Sequence, residues 1–173
     1  MKINVSPVKV NVIEYDDNLK NHLRIFDDSD KDLIKHYINA AGAYIERYLG
    51  FPALSTSCEV FAMAKNFCID LPKNVIKVNA IYERQFPIDW YKIQPQNQQI
   101  DDAGSNIVFK SENFLNGFEY KIQCELRPYI TPIIRQAAFL LVAEMYENRE
   151  NINKNVSVFK PSVNILLDLE SVE

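Results

Sequence analysis

The chain has 173 residues, of which 47% are hydrophobic and 24% charged, and 19 basic and 23 acidic side chains give it a formal net charge of −4. A chain of this length buries roughly 70% of the surface that its unfolded form exposes, so it can build a core without disulfides or structural metals. The composition excludes a disordered or coiled-coil protein, and the negative charge argues against a nucleic-acid binder held mainly by electrostatic attraction.

The scarcity of glycine, histidine and cysteine excludes several classes of enzyme. The four glycines lie too far apart for a phosphate-binding loop or a dinucleotide-binding motif, and the two histidines are not spaced for zinc. Cys58, Cys68 and Cys124 form no C-x-x-C pair and are expected to be reduced, partly buried thiols. Residues 1–10 lack the apolar segment of a signal peptide, and no apolar run approaches the roughly 18 residues that span a membrane. We therefore expect a soluble protein made in the cytoplasm.

The N-terminal third of the chain predicts an extended arm followed by two helices. Residues 2–15 are rich in Val and Ile and are typical of an arm or edge strand, and residues 16–25 fit one short helix. A long helix is predicted from its cap at Ser29 to Leu49, because apolar residues recur there at spacings of three and four. Gly50 is the expected stop signal.

A change of hydrophobic period from 3.6 to 2 predicts a β unit over residues 56–126. The polar stretch 94–105 within it is predicted to be a long loop, which leaves an antiparallel unit of five or six strands. The candidate strands are residues 59–63, 67–71, 75–82, 90–93, 107–109 and 118–126.

A second long helix is predicted to begin at Thr131, with Pro132 in its first turn. This helix is apolar on most of its surface, so either the β unit or another subunit is expected to cover its second side. The predicted fold class is α+β. One domain over residues 1–173 would have a helical core of two long helices and one short helix, with the β unit inserted at 56–126. The core is expected at 16–50 and 131–150, and an apolar tail at 151–173 needs a surface to dock on.

No residue pattern predicts catalysis, a metal or a cofactor. The acidic turn at residues 27–32 is not a calcium loop, because Leu33 and Asn39 stand where glycine and glutamate are needed. The three glutamates of the last helix lack the accompanying histidine of a di-metal site, and no nucleophile elbow is present. We therefore expect a protein that is not an enzyme. Neither His22 nor His36 has a partner that would make it a ligand or a base.

The order of three short motifs resembles the tailed-phage head–tail connector family, the gp6-like adaptors. Residues 19–25, the acidic turn and the segment from Leu33 to Gly50 are similar to the N-terminal signature of the family. Residues 133–150 resemble its second signature, and residues 161–167 resemble a closing segment with paired leucines. The β unit matches the longer members, which carry such an insertion between the helices.

The resemblance implies a structural role in the virion. Such adaptors form a ring under the portal protein, extend the DNA channel and dock a tail or stopper protein. The expected partners are other copies of the chain in a ring of roughly twelve, the portal, and a tail or stopper protein, while DNA passes through the lumen without sequence-specific contact. No membrane and no cofactor is implied. The implied location is the head–tail junction, after assembly in the host cytoplasm.

Five residues are candidate interface positions. Tyr146, Asn148 and Arg149 form a polar and aromatic group where an apolar helix ends, and they are predicted to contact a neighbouring subunit or the portal. Leu166 and Leu167 are the paired leucines of the apolar tail. Two alternatives remain open at this point: a non-viral binding module that uses the β unit to recognise a peptide or small ligand, and a metal-dependent hydrolase that uses the acidic clusters.

Overall fold

The computed structural model describes residues 2–5, 9–65, 68–84, 89–94, 99–102, 107–110, 114–115, 118–149 and 161–171. These residues form an α+β fold, which confirms the predicted class. Its helices are α1 (Asp17–Leu23), α2 (Lys31–Leu49), α3 (Pro132–Glu147) and α4 (Pro161–Ser171). Its strands are β1 (Lys2–Val5), β2 (Ser57–Met63), β3 (Cys68–Leu71), β4 (Val75–Arg84), β5 (Tyr91–Ile93), β6 (Gln99–Asp102), β7 (Ile107–Lys110) and β8 (Glu119–Leu126).

The chain divides into two compact units. A β unit consists of Met1–Val10 and Phe51–Tyr129, and a helical unit consists of Asn11–Gly50 and Ile130–Glu173. No helix in the described part of the chain is both long and apolar enough to cross a membrane.

The N-cap of the first long helix lies one residue later than predicted. Asp30, rather than Ser29, occupies the N-cap position of α2, and its side chain makes no capping hydrogen bond. Ser29 instead donates its amide and hydroxyl to Asp27 Oδ1, at 2.9 and 2.6 Å. The prediction of Ser29 as the cap was wrong because a turn within the acidic segment takes its hydroxyl. Gly50 ends α2 as predicted, with a φ of 73° that favours glycine.

The second long helix is covered by helices of its own unit. Thr131 caps α3 as predicted, because its hydroxyl accepts a 3.2 Å hydrogen bond from the amide of Ile134. The helix packs against α1, α2 and α4. We expected the β unit or another subunit to cover its second side, and the cover within this chain comes from α1, α2 and α4. The C-terminal tail supplies the missing cover by folding into α4, whose Val163 and Leu167 are buried.

The larger sheet of the β unit is antiparallel, with strand order β1-β2-β8-β4-β5. Residues 2–5 of the predicted arm form β1, which lies at the edge of this sheet. Alternate residues of β8 are buried in the core, and the residues between them, including Lys121, belong to the opposite face. The buried set on β8 is Tyr120, Ile122, Cys124 and Leu126.

A smaller antiparallel sheet has the strand order β3-β7-β6. Its strand β6 falls inside residues 94–105, so the prediction of a loop over that whole stretch was wrong. The polar composition of the stretch suggested a loop, but its residues 99–102 pair with β7 as a strand. Ile69 and Leu71 of β3 join the hydrophobic core that β2, β4 and β8 also build.

The three cysteines lie on strands of the β unit and form no disulfide, as expected. Cys58 of β2 and Cys124 of β8 are direct partners across the two strands, and both are buried. Cys68 of β3 is half-buried.

Candidate functional site

Two of the predicted interface residues meet at an aspartate that starts α2. The hydroxyl of Tyr146 donates a 2.7 Å hydrogen bond to Asp30 Oδ2. The Arg149 guanidinium forms an ion pair with the same oxygen, at 2.8 Å, and lies 5.0 Å from the centre of the Tyr146 ring. We call these three residues the Asp30 cluster. It ties the end of α3 to the start of α2.

The Asp30 cluster is built around an ionised carboxylate. Hydrogen bonds from Tyr146 and then from Arg149 lower the pKa of Asp30 below its ordinary value. The same hydrogen bond raises the pKa of the Tyr146 hydroxyl, because a proton donated to a carboxylate is harder to remove. At neutral pH, Asp30 is charged and Tyr146 is protonated.

Asn148 does not join this cluster. Its backbone amide and its side-chain Nδ2 both donate to the carbonyl oxygen of Glu144, each at 3.0 Å. It therefore caps the C-terminal end of α3, a role within its own helix.

The paired leucines of α4 have different environments. Leu167 is completely buried in the helical unit, and Leu166 is half-buried. Among the described side chains of α4, the large apolar ones that are exposed are Ile165 and Leu169, at 60% and 58%. Leu167 therefore anchors α4, and its neighbours Ile165 and Leu169 are the ones within reach of another molecule.

Two tyrosines of α2 fix the position of α4. The hydroxyl of Tyr44 donates to Asn164 Oδ1 at 2.9 Å, and that of Tyr48 donates to the carboxylate of Asp168. This bond raises the pKa of Tyr48. Tyr44 and Tyr48 thus serve packing within the helical unit.

Phe26 is a large side chain that no sequence pattern singled out. It is fully exposed, at 100%, in the turn between α1 and α2. Arg24 before it adopts a left-handed conformation with φ 57°, and the amide of Ile25 bonds back to the carbonyl of Lys20 at 3.0 Å. The signal that could have found Phe26 is an aromatic residue placed outside the helical period and next to two aspartates.

The turn that carries Phe26 is held by side chains around it. Asp28 accepts a 2.9 Å hydrogen bond from the hydroxyl of Tyr15 and forms an ion pair with Lys20. Asp27 accepts from the amide and hydroxyl of Ser29. We call residues 24–30 the Phe26 loop. The loop is a structured projection, with an aromatic tip beside two carboxylates.

The face of the larger sheet opposite its core carries a row of alternating lysines and aromatic rings. The strand registers place each neighbouring pair of this row directly opposite one another across β1, β2, β8, β4 and β5. The row is Lys2, Phe61, Lys121, Tyr82 and Lys92.

Trp90 lies on this face, and two cationic side chains contact its ring. The Arg84 guanidinium lies 4.6 Å from a Trp90 ring centre and the Lys121 ammonium 5.6 Å from it, both within cation–π range. Phe61 packs edge-to-face against Trp90, with ring centres 5.9 Å apart. Arg84 also forms an ion pair with Glu119. Beside Trp90 runs an open groove of about 500 Å³, here called the tryptophan groove, which Lys2, Phe61, Met63 and Arg84 also line.

The histidines and acidic groups do not form a chemical site in the described part of the chain. His22 packs edge-to-face on Phe139, with ring centres 5.4 Å apart, and His36 is exposed. No group of three or more His, Cys, Asp or Glu residues there could hold a metal ion.

Comparison with known proteins identifies the family. Residues 17–123 match the family of the phage gp6-like head-tail connector protein, which is more than half of the chain. The chain belongs to the gp6-like head-tail connector family. The match runs from α1 to β8, so it includes the N-terminal signature and the Phe26 loop, and it ends before residues 133–150 and 161–167.

Two solved structures share the fold of this connector over nearly its whole length. One is described as the neck of an empty GTA particle computed with C6 symmetry, with a TM-score of 0.75 and 18% identity. The other is the neck of a native GTA particle computed with C12 symmetry, with a TM-score of 0.71 and 17% identity. Each alignment covers 98% of this chain and 94% of the other. No curated protein matches the chain.

Proposed function

We propose that this connector is the adaptor of a phage or prophage neck, located at the head–tail junction of the particle. In this role it binds under the portal protein, extends the DNA channel and offers a docking surface to a tail or stopper protein. The observation that carries the proposal is the family match over residues 17–123. The fold shared with two neck structures supports it. The same match favours the connector over a non-viral binding module.

We propose that the working form is a homo-oligomeric ring. The neck structures with the same fold were computed with six-fold and twelve-fold symmetry, and both symmetries are compatible with a ring of roughly twelve subunits. A ring is built from heterologous contacts, in which each subunit uses two different and complementary surfaces. The whole chain would act as one connector domain that assembles in the host cytoplasm.

The proposed mechanism is assembly, and we assign this connector no catalytic step. DNA would pass through the lumen of the ring without sequence-specific contact. The formal net charge of −4 is consistent with a channel that does not hold DNA tightly.

We propose different roles at the subunit interface for the five candidate residues. Arg149 of the Asp30 cluster is 45% exposed, so it can reach a neighbouring subunit or the portal while it holds Asp30. Asn148 and Leu167 would act indirectly, by fixing the ends of α3 and α4. Ile165 and Leu169, the exposed neighbours of Leu166 on α4, would make the direct contact.

The first test is the mass and shape of the purified chain in solution. Size exclusion with light scattering over a wide range of concentration, followed by negative-stain imaging of any large species, is expected to show closed rings. The second test does not depend on assembly of the isolated chain, because it removes the gene from the phage or prophage that encodes it. Filled heads without tails would support the proposal, and normal tailed particles would overturn it.

A further inference from the structure

The tryptophan groove has the composition of a socket for an aromatic side chain with acidic neighbours. Its apolar walls are Trp90, Phe61 and Met63, and Met63 is 54% exposed. Lys2 and Arg84 line it, and Lys121 reaches the Trp90 ring from the adjacent strand. Against these three cations stands one carboxylate, that of Glu119, so the groove carries net positive charge.

The Phe26 loop has the complementary composition. Its tip is a fully exposed phenylalanine, an arrangement that leaves a large apolar side chain in water. Asp27 beside it accepts only neutral donors of Ser29, which lower its pKa and keep it ionised without cancelling its charge. Hydrogen bonds from Lys20 and then from Tyr15 lower the pKa of Asp28 as well. Residues 24–30 hold three aspartates against Arg24, and because Asp28 and Asp30 pair with Lys20 and Arg149, the negative charge beside the aromatic anchor is mainly that of Asp27.

We propose that the Phe26 loop of one copy of this connector enters the tryptophan groove of the next copy. Phe26 would pack on Trp90 and Phe61, and the aspartates of the loop would face the cations of the groove. The two surfaces differ and lie on different units, so the contact is heterologous, as a ring requires. This inference rests on the proposed function, because it names the partner surfaces within the proposed ring.

The single tryptophan of the chain makes the contact measurable. When the loop enters the groove, water leaves the Trp90 ring and its fluorescence emission moves to shorter wavelength. The expected result is an emission shift that rises with protein concentration in parallel with mass by light scattering. Phe26→Ala is expected to weaken self-association by roughly thirty-fold or more, as loss of a central aromatic anchor does. Raising the salt concentration is expected to weaken it further.

Matched variants separate the contact from a loss of folding. Phe26 and Lys2 are exposed, so Phe26→Ala and Lys2→Glu leave the core intact. Lys2→Glu reverses a groove charge and is expected to weaken association. Leu115→Ala removes an apolar side chain of the β unit that is 49% exposed and does not line the groove, and it should associate like the wild type.

A cross-linking experiment tests the pairing directly. Phe26→Cys and Met63→Cys are combined in a Cys68→Ser chain, where the two remaining cysteines are buried. A short bismaleimide is expected to join copies into a ladder of covalent oligomers, and either cysteine alone should give dimers at most.

Three results would overturn the contact: no self-association of the wild-type chain at any concentration, unchanged association of Phe26→Ala, or association without a Trp90 shift. None of these results contradicts the connector role, because that role is tested separately, by whether particles that lack the gene have tails. Normal tailed particles without the gene would instead remove the connector role, whatever the groove binds.

Discussion

Tyr146 and Asp30 lie 116 positions apart in the chain, yet the tyrosine hydroxyl donates a 2.7 Å hydrogen bond to the aspartate Oδ2. Arg149 reaches the same oxygen from the residues that follow α3. The bond therefore joins the end of one long helix to the start of the other. Residues first selected as an intermolecular contact have a structural role inside the helical unit.

Replacing Tyr146 by phenylalanine removes this hydrogen bond and keeps the aromatic side chain. We expect a loss of about 0.5 kcal/mol in the free energy of unfolding, because the bond is partly exposed to water. Urea denaturation measures the loss. Tyr91→Phe, at a tyrosine that is 59% exposed on β5, is the matched control and should leave the midpoint unchanged. Equal behaviour of the two variants would show that the bond contributes nothing.

The Asp30 cluster also predicts a dependence of stability on acidity. The pKa of Asp30 is lowered in the folded chain, so its contribution is present above the ordinary carboxyl pKa of about 4 and is lost as the pH falls through the lowered value. Asp30→Asn should therefore melt below the wild type at neutral pH, and the difference should disappear in strong acid. Thermal melting across this range measures it. Asp70→Asn, at an exposed position of β3, is the control. A difference between Asp30→Asn and wild type that grows in acid would contradict the assignment.

Three of the four described helices and most of the strands could be predicted from local periodicity, whereas α4 was predicted only as an apolar tail. The 3.6-residue spacing of apolar side chains gave α2 and α3, and the period of 2 gave six strands of the β unit. The N-cap of α2 was missed by one residue because Ser29 bonds to Asp27, a competition within a short turn that spacing does not reveal. Strand β6 was missed because its composition is polar. It is recognisable as a strand only from its pairing with β7, which local sequence does not show.

The candidate surfaces depend on long-range pairing and could be predicted only in part. Tyr146 and Arg149 were chosen as interface candidates together with Asn148, and their contact with Asp30, 116 and 119 positions away, could not be predicted from local spacing. The row of lysines and aromatics exists only once the strand registers are set, since its members come from five strands. Whether an apolar residue is buried or exposed also follows from packing, as Leu167 and Leu169 show.

These two leucines of α4 give a direct test of how the tail is docked. Leu167 is fully buried, so Leu167→Ala is expected to cost about 2–4 kcal/mol through lost burial and a cavity. Leu169 is 58% exposed, so Leu169→Ala should change the free energy of unfolding by less than about 0.5 kcal/mol. Urea denaturation of both variants decides the matter. Similar costs for the two would mean that α4 is not anchored by Leu167.

The cysteines of the β unit should differ in reactivity. A hydrogen bond with Cys58, together with burial, raises the pKa of the Cys124 thiol, so little reactive thiolate forms there. Both residues are buried in the core, whereas Cys68 is half-buried. Brief treatment with iodoacetamide is expected to modify Cys68 first, as read by mass spectrometry of peptides. The unfolded chain is the control and should react at all three, and early labelling of Cys124 in the folded chain would contradict its burial.

Thr131 connects the start of α3 to α4 through one hydroxyl. The hydroxyl accepts from the amide of Ile134 as the helix cap and donates to the buried carboxylate of Glu170. Thr131→Ala removes both bonds, and we expect a loss of about 1–2 kcal/mol, the usual range for a lost cap. Thr131→Ser keeps the hydroxyl and should retain most of the stability, as judged by thermal and urea unfolding. If serine were as damaging as alanine, the methyl group rather than the hydroxyl would account for the role of Thr131.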